Sequence, residues 1–293
     1  MRYSIEVTTK IGCSNVCEYC PQSTLIKRYK ERIGNKDTMM KLDTFQRCIK
    51  TLPKDIGLNF TGYVEPFLNP EAAEMIIHGF ESGHSILLNT TLMGLKIQDW
   101  KKIRRVKFRN VHIHLPSCSY EEMIGVKTPI ETFDYNGKKV KKLSQEYFDL
   151  LNYVIENPTR GMLFHCHGDL HPELEYLKRI VRIDVRDINS RAMNLLLEKK
   201  DKVPDEINIR GNCPRVYQNV LLPDGSLSLC CQDYGLDEIM GNLLENTWEE
   251  YENSEKVKEV RLNGSDLCDY CEEGIDYVNS EKWEEWRRPQ QLK

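Results

Sequence analysis

Short apolar runs alternate with amphipathic stretches over the first two-thirds of the chain. The runs Tyr3–Thr8, Gly57–Phe60, Ser85–Asn89, Val111–Leu115, Met162–His165 and Arg182–Ile188 read as strands, short and rich in β-forming residues. Between them, the stretches at about Leu42–Leu52, Glu71–Ser82, Ile97–Arg104, Leu143–Glu156 and Pro172–Ile180 read as helices. Such alternation predicts βα units around a parallel sheet. Six units fall short of the eight that close a full barrel. The expected fold class is therefore α/β, a partial (β/α)6 TIM-like barrel open on one side. Chemistry in such barrels sits at the C-terminal ends of the strands.

From about Asp205 the rhythm changes to short strands and turns, including Leu222-Pro-Asp-Gly-Ser, followed by a helix near Trp248–Val260. The expected division is a barrel over residues 1–204 and a small cysteine-rich α+β extension with a tail over 205–293. The first strand begins within a few residues of Met1, so no recognition domain is expected before the barrel. The charged tail Glu281–Lys293 places Trp283 and Trp286 at i,i+3, which predicts a helix packing its indoles on the body. The chain shows no internal repeat and no low-complexity segment.

Composition narrows the function classes. With 293 residues, 40% hydrophobic and 29% charged, the chain has the make-up of a soluble globular protein. A net charge of -4 offers no basic footprint for nucleic acid. No apolar run approaches a membrane span, and Met1-Arg-Tyr-Ser-Ile-Glu lacks a signal-peptide core. A cytoplasmic location follows as the expectation, with neither nucleic acid nor membrane as partner. Eleven cysteines in a reducing compartment point to metal ligands, catalytic thiols or core residues rather than disulfides.

Three of them, Cys13, Cys17 and Cys20, form C-x3-C-x2-C directly after the first strand. Three thiolates from one short loop can hold three corners of a cubane 4Fe-4S cluster and leave the fourth iron open for chemistry. The plainer reading is a zinc site or scattered buried thiols. Structural zinc needs a fourth ligand, and none lies close downstream: the next cysteine is Cys48 and the first histidine His78. A second set, Cys213, Cys230, Cys231, Cys268 and Cys271, crowds the last 81 residues. It ends in the C-x2-C pair Cys268-Asp-Tyr-Cys271, and Gly225 precedes Cys230 with four residues between. A zinc ribbon suits this set as well.

The N-terminal triplet resembles the defining motif of the radical SAM enzymes. That resemblance implies an open iron chelating the amino and carboxylate groups of S-adenosylmethionine, with Tyr19 against the adenine. Thr61-Gly-Tyr-Val-Glu-Pro resembles the family's glycine-glycine-glutamate-proline segment. Gly62 and Glu65 match, implying that Glu65 holds the amino group, while Val64 replaces the second glycine. Asn89 matches the family's Thr-Asn-Gly segment, and Ser117 a ribose-contacting serine. Asn189-Ser-Arg-Ala-Met-Asn194 resembles a Ser-Arg-Ala-Gly-Asn stretch, implying that Arg191 meets the carboxylate of S-adenosylmethionine or the substrate; Met193 departs from the usual glycine. As alternatives, the first segment is a plain strand-to-helix turn and Arg191 a solvated surface residue.

The C-terminal set resembles the SPASM and Twitch extensions of the same enzymes. Position by position, this implies Cys213, Cys230, Cys268 and Cys271 as ligands of an auxiliary 4Fe-4S cluster. The cysteines are too few for two auxiliary clusters, so a one-cluster, Twitch-like version is expected. Cys231 is a replacement ligand, a packed thiol, or a hydrogen-atom donor in catalysis. The implied chemistry is reductive cleavage of S-adenosylmethionine to a 5′-deoxyadenosyl radical that removes a substrate hydrogen atom, fed by an external donor such as flavodoxin or ferredoxin.

The expected outcome is dehydrogenation of a sugar-like or other polar small-molecule alcohol. Epimerisation or peptide modification, with Cys231 returning a hydrogen atom, is the alternative. A non-catalytic zinc or electron-transfer module is the remote one. His165-Cys-His167 with Asp169 and His171 looks metal-like but lacks a partner elsewhere, so polar substrate contacts are expected there. His112 and His114 read as polar groups of the barrel interior, Cys48 as core, and Cys118 as a residue near the pocket.

Overall fold

The computed structural model describes residues 3–34, 37–188, 191–192, 194 and 213–271. In chain order the elements are β1 (Ser4–Val7), α1 (Gln22–Arg32), α2 (Leu42–Ile49), β2 (Gly57–Phe60), α3 (Ala72–Glu81), β3 (Ile86–Thr90), α4 (Ile97–Ile103) and β4 (Phe108–His114). There follow the hairpin β5 (Thr132–Tyr135) and β6 (Lys138–Lys141), α5 (Gln145–Glu156), β7 (Met162–His167), a 3-10 helix at Pro172–Arg179 and β8 (Ile183–Arg186). The C-terminal unit contributes β9 (Val220–Leu221), β10 (Ser226–Ser228), β11 (Ile239–Asn242), α6 (Trp248–Asn253) and α7 (Glu255–Asn263).

β1, β2, β3, β4, β7 and β8 are parallel neighbours in that order, the partial barrel the alternation predicts. Period-2 geometry sorts their side chains. Ile86 and Leu88 of β3 and Val111 and Ile113 of β4 are buried in the core with Phe45, Met75, Ile76, Trp100 and Leu151 from the helices. Full burial of each such side chain contributes about 1.5–3 kcal/mol. The alternate positions Leu87, Asn89 and His114 line a cavity inside the barrel instead.

Several elements depart from the pattern. The sequence reading has no helix at 22–32 because α1 is polar except for Leu25, Ile26 and Tyr29, of which Leu25 and Tyr29 are buried. It also lacks the β5–β6 hairpin, turned by Asn136 and Gly137, both at positive φ. Pro172–Arg179 is 3-10 rather than α-helical. The single helix expected near Trp248–Val260 is two, because Ser254 adopts extended backbone and caps α7 by accepting from Val257 N. The C-terminal strands extend the main sheet, with β9 pairing parallel to β1. The 204/205 boundary, Asn189, Met193 and the tail with Trp283 and Trp286 lie outside the described residues. Among the described residues, no helix is long and apolar enough to cross a membrane.

Candidate active site and auxiliary cysteine site

A cavity of about 480 Å³ opens beside the loop that follows β1. Cys13, Cys17, Tyr19 and Cys20 line it from that loop, Gly62 and Glu65 from the segment after β2, Asn89 from β3, Arg191 from the segment after β8, and Cys231 from the C-terminal unit. The volume is in the range of small-molecule sites. Ser117 is not among these residues. It lines a neighbouring cavity with Cys118 and His171, and its hydroxyl accepts from Ser119 N at 2.9 Å.

Glu65 is buried, and all four of its acceptor positions are taken by the chain itself. Oε1 accepts from Phe67 N at 3.1 Å and Thr90 Oγ1 at 2.9 Å; Oε2 accepts from Thr91 N at 2.6 Å and Thr91 Oγ1 at 2.7 Å. A carboxylate offers about four lone-pair directions, so Glu65 works here as a strap joining the ends of β2 and β3. Burial raises its pKa against the pull of these donors. Gly62 has a packing reason of its own: at φ +37° a Cβ would meet Thr8 Oγ1 at 2.3 Å and Val7 O at 2.8 Å. Val64, which replaces the second glycine, is buried and lines the cavity.

One wall is a cluster of imidazoles. The rings of His114 and His165 lie 5.0 Å apart, those of His114 and His167 likewise 5.0 Å, and His167 lies 4.6 Å from Tyr19. Parallel pairing of His114 with His165 sets this register. Burial, then the neighbouring His114, pushes His165 down to about 2 and His167 down to about 4, so both rings are neutral at physiological pH. On another side Glu6, raised by burial, accepts from Thr61 Oγ1 at 2.9 Å, and Arg215 Nη1 donates to Cys231 Sγ at 3.2 Å.

The cavity also holds buried polar atoms with no partner among the described residues: Asn15 Oδ1, Gln22 Oε1, Asn89 Oδ1, His165 Nδ1, and both Nε2 and Oε1 of Gln232. Buried polar atoms normally find partners, so this group marks a place for a polar ligand. Gln232, Glu6, Arg215 and Tyr234 were not singled out by sequence. No motif carries them, and only their place on a shared cavity reveals them.

Cys213, Cys230, Cys268 and Cys271 line a separate small cavity with Val216, Leu229 and Leu267. Backbone N–H groups of Arg215, Gln232 and Ser265 donate to Cys213, Cys230 and Cys268 respectively. Burial pushes the Cys213 thiol up to about 12. A mononuclear zinc site needs its ligands within about 2.3 Å of one point. Cubane ligands sit on different irons and spread more widely, and an all-sulfur donor set with backbone N–H groups on the sulfurs fits an iron-sulfur cluster.

The comparisons with known proteins agree with this geometry. Residues 213–273 match the family model for SPASM, an iron-sulfur cluster-binding domain. No curated protein matches the chain. Among solved structures, BtrN in complex with AdoMet and 2-DOIA superposes with a TM-score of 0.57 at 16% identity, covering 92% of each chain. Native anSMEcpe with bound AdoMet gives 0.57 at 14% identity, over 99% of this chain and 98% of that one. Streptococcus suis SuiB bound to precursor peptide SuiA gives 0.57 at 10% identity, over 95% and 73%. The chain shares the partial-barrel fold of these structures and carries a C-terminal SPASM iron-sulfur cluster-binding domain.

Proposed function

We propose that this protein is a radical SAM enzyme that dehydrogenates a sugar-like or other polar small-molecule alcohol. The observation that carries the reading is convergence: thiols from the loop after β1, Asn89 from β3 and Cys231 from the C-terminal unit line one cavity. Cys13, Cys17 and Cys20 would hold a 4Fe-4S cluster. Tyr19, Gly62, Asn89 and Arg191 would hold S-adenosylmethionine, with Glu65 fixing the walls of its site and Ser117 acting through Glu122. Cys213, Cys230, Cys268 and Cys271 would hold one auxiliary 4Fe-4S cluster, a Twitch-like arrangement. When bound, these groups supply a 5′-deoxyadenosyl radical that takes a substrate hydrogen atom and a sink for the second electron. Flavodoxin or ferredoxin as electron donor, and a cytoplasmic location, belong to the same proposal.

The chain's own residues bind, orient and shield. The neutral imidazoles of His165 and His167 present hydrogen-bonding groups without charge to a polar substrate. Of the buried carboxylates on the cavity, Glu6 carries fewer donors than Glu65 and suits receipt of the substrate hydroxyl proton. BtrN, crystallised with AdoMet and 2-DOIA, supports a small-molecule substrate. The test is anaerobic turnover with S-adenosylmethionine and a reductant. Formation of 5′-deoxyadenosine together with a product lighter by one pair of hydrogen atoms supports the proposal; 5′-deoxyadenosine without such a product overturns the dehydrogenase assignment.

A second reading rests on Cys231, whose side lines the active-site cavity rather than the cavity of the other four cysteines. In an epimerase or peptide-modifying enzyme its thiol would return a hydrogen atom to the substrate radical. SuiB, bound to a precursor peptide, supports this reading. Product formed in heavy water would then carry deuterium, and Cys231→Ala would abolish the label. Unlabelled product removes it.

A further inference from the structure

Tyr234 belongs to the C-terminal unit, yet its hydroxyl lies 3.8 Å from Cys20 Sγ of the N-terminal triplet, within range of an O–H···S hydrogen bond. It is held there firmly. Its ring is buried in a small hydrophobic cluster with Ile11, Leu25, Tyr29, Tyr63 and Leu236, which joins the cysteine loop and α1 to the C-terminal loop. The Tyr63 ring packs 4.7 Å from the Tyr234 ring. Tyr63 Oη in turn donates to Cys230 O at 2.7 Å and Asp233 O at 3.0 Å. The Asp233 carboxylate closes the turn by accepting from Asp237 N at 2.7 Å and Glu238 N at 3.1 Å.

We propose that Tyr234 tunes the reduction potential of the N-terminal cluster by donating a hydrogen bond to Cys20, and that Tyr63 holds it in place. This inference rests on the reading of Cys13, Cys17 and Cys20 as cluster ligands. A coordinated thiolate has no proton to give, so the phenol is the donor. Donation to a ligand sulfur withdraws negative charge from the cluster, which favours its reduced form. The SPASM domain thereby reaches the site where S-adenosylmethionine is to be reduced. The contact chain Cys20, Tyr234, Tyr63, Cys230 links the two cysteine sets through two packed rings. Gln22 Nε2, 3.4 Å from Cys20 Sγ, is the second side-chain donor on that sulfur.

The experiment is an EPR-monitored redox titration of the anaerobically reconstituted full chain, wild type and Tyr234→Phe. Phenylalanine keeps the ring packing and removes only the hydroxyl. The expected result is a more negative potential for the N-terminal cluster, equivalent to about a tenfold change in its oxidised-to-reduced ratio (~59 mV for one electron), with the auxiliary cluster unmoved. An unchanged N-terminal potential at full iron loading overturns the inference. Should Tyr234→Phe fail to load iron, pulsed EPR of Gln22→Leu in deuterated buffer decides instead. A strongly coupled exchangeable deuteron beyond those of the Glu65 and Asn15 N–H groups facing Cys13 and the Tyr19 hydroxyl facing Cys17 supports the hydroxyl donor; its absence refutes it. A wild type without an N-terminal cluster would sink the underlying functional reading, a result distinct from either.

Discussion

The Tyr19 hydroxyl donates a 2.7 Å hydrogen bond to Oε1 of Glu122, 103 residues further along the chain. The other carboxylate oxygen accepts from Ser117 N at 2.7 Å, and His114 Nε2 lies 3.1 Å from the Tyr19 hydroxyl. The aromatic of the cysteine motif is thus fixed by the loop that follows β4. Glu122→Leu leaves the buried Ser117 N–H unpartnered and the Tyr19 hydroxyl to His114 and Cys17, at about 1–3 kcal/mol for the orphaned donor. Urea unfolding should show a fall of that size, with a smaller fall for Glu122→Gln. A Glu122→Leu protein as stable as wild type would show that Tyr19 is held by other contacts.

Gly62→Ala should be the most damaging small substitution near the site. Its Cβ would sit 2.3 Å from Thr8 Oγ1 and 2.8 Å from backbone of β1, at a φ of +37° that alanine adopts poorly. Backbone cannot yield as a flexible side chain does, so the variant should lose stability by more than about 2 kcal/mol. A thermal midpoint equal to wild type would contradict this packing.

The histidine wall makes stability depend on pH. His165 and His167 titrate in the unfolded chain near the ordinary histidine value of about 6.5. In the folded protein they do so only at about 2 and about 4. Between these values the unfolded state binds more protons, so stability rises with pH across the window. The contribution is complete above about pH 7 and is lost on acidification, down to about pH 4 for His167 and about pH 2 for His165. The double variant His165→Gln/His167→Gln should flatten this slope in denaturation series at pH 5 and pH 7; an unaltered slope would refute the assignment.

Gln232 is 1% exposed, and neither end of its amide has a partner among the described residues. An unpaired buried amide costs stability, so Gln232→Leu should unfold at the same temperature as wild type or higher, by up to about 1 kcal/mol. Substrate-dependent turnover should nonetheless drop about tenfold, the worth of one lost ligand hydrogen bond. Opposite movements of stability and turnover identify a ligand-facing group. Parallel losses would make Gln232 structural.

Local patterning determined the six parallel strands, because a short apolar run between amphipathic stretches is a property of neighbouring residues alone. It also determined the two cysteine sets, since ligand spacing within one loop is a local property. Hence Cys13, Cys17 and Cys20, and separately Cys268 and Cys271, stand out with no fold in hand. Tertiary structure alone decided how the two ends of the chain meet. Glu6 N donates to Asn219 O and Thr8 N to Leu221 O, both at 2.9 Å, and this parallel register carries Cys231, Gln232 and Tyr234 to the N-terminal loop. Backbone pairing between segments more than 200 residues apart leaves no period in the sequence. Nor does composition reveal whether a buried amide has found a partner, or that Glu65 gives all its lone pairs to the chain. Those depend on where every neighbouring donor comes to rest once the sheet is closed.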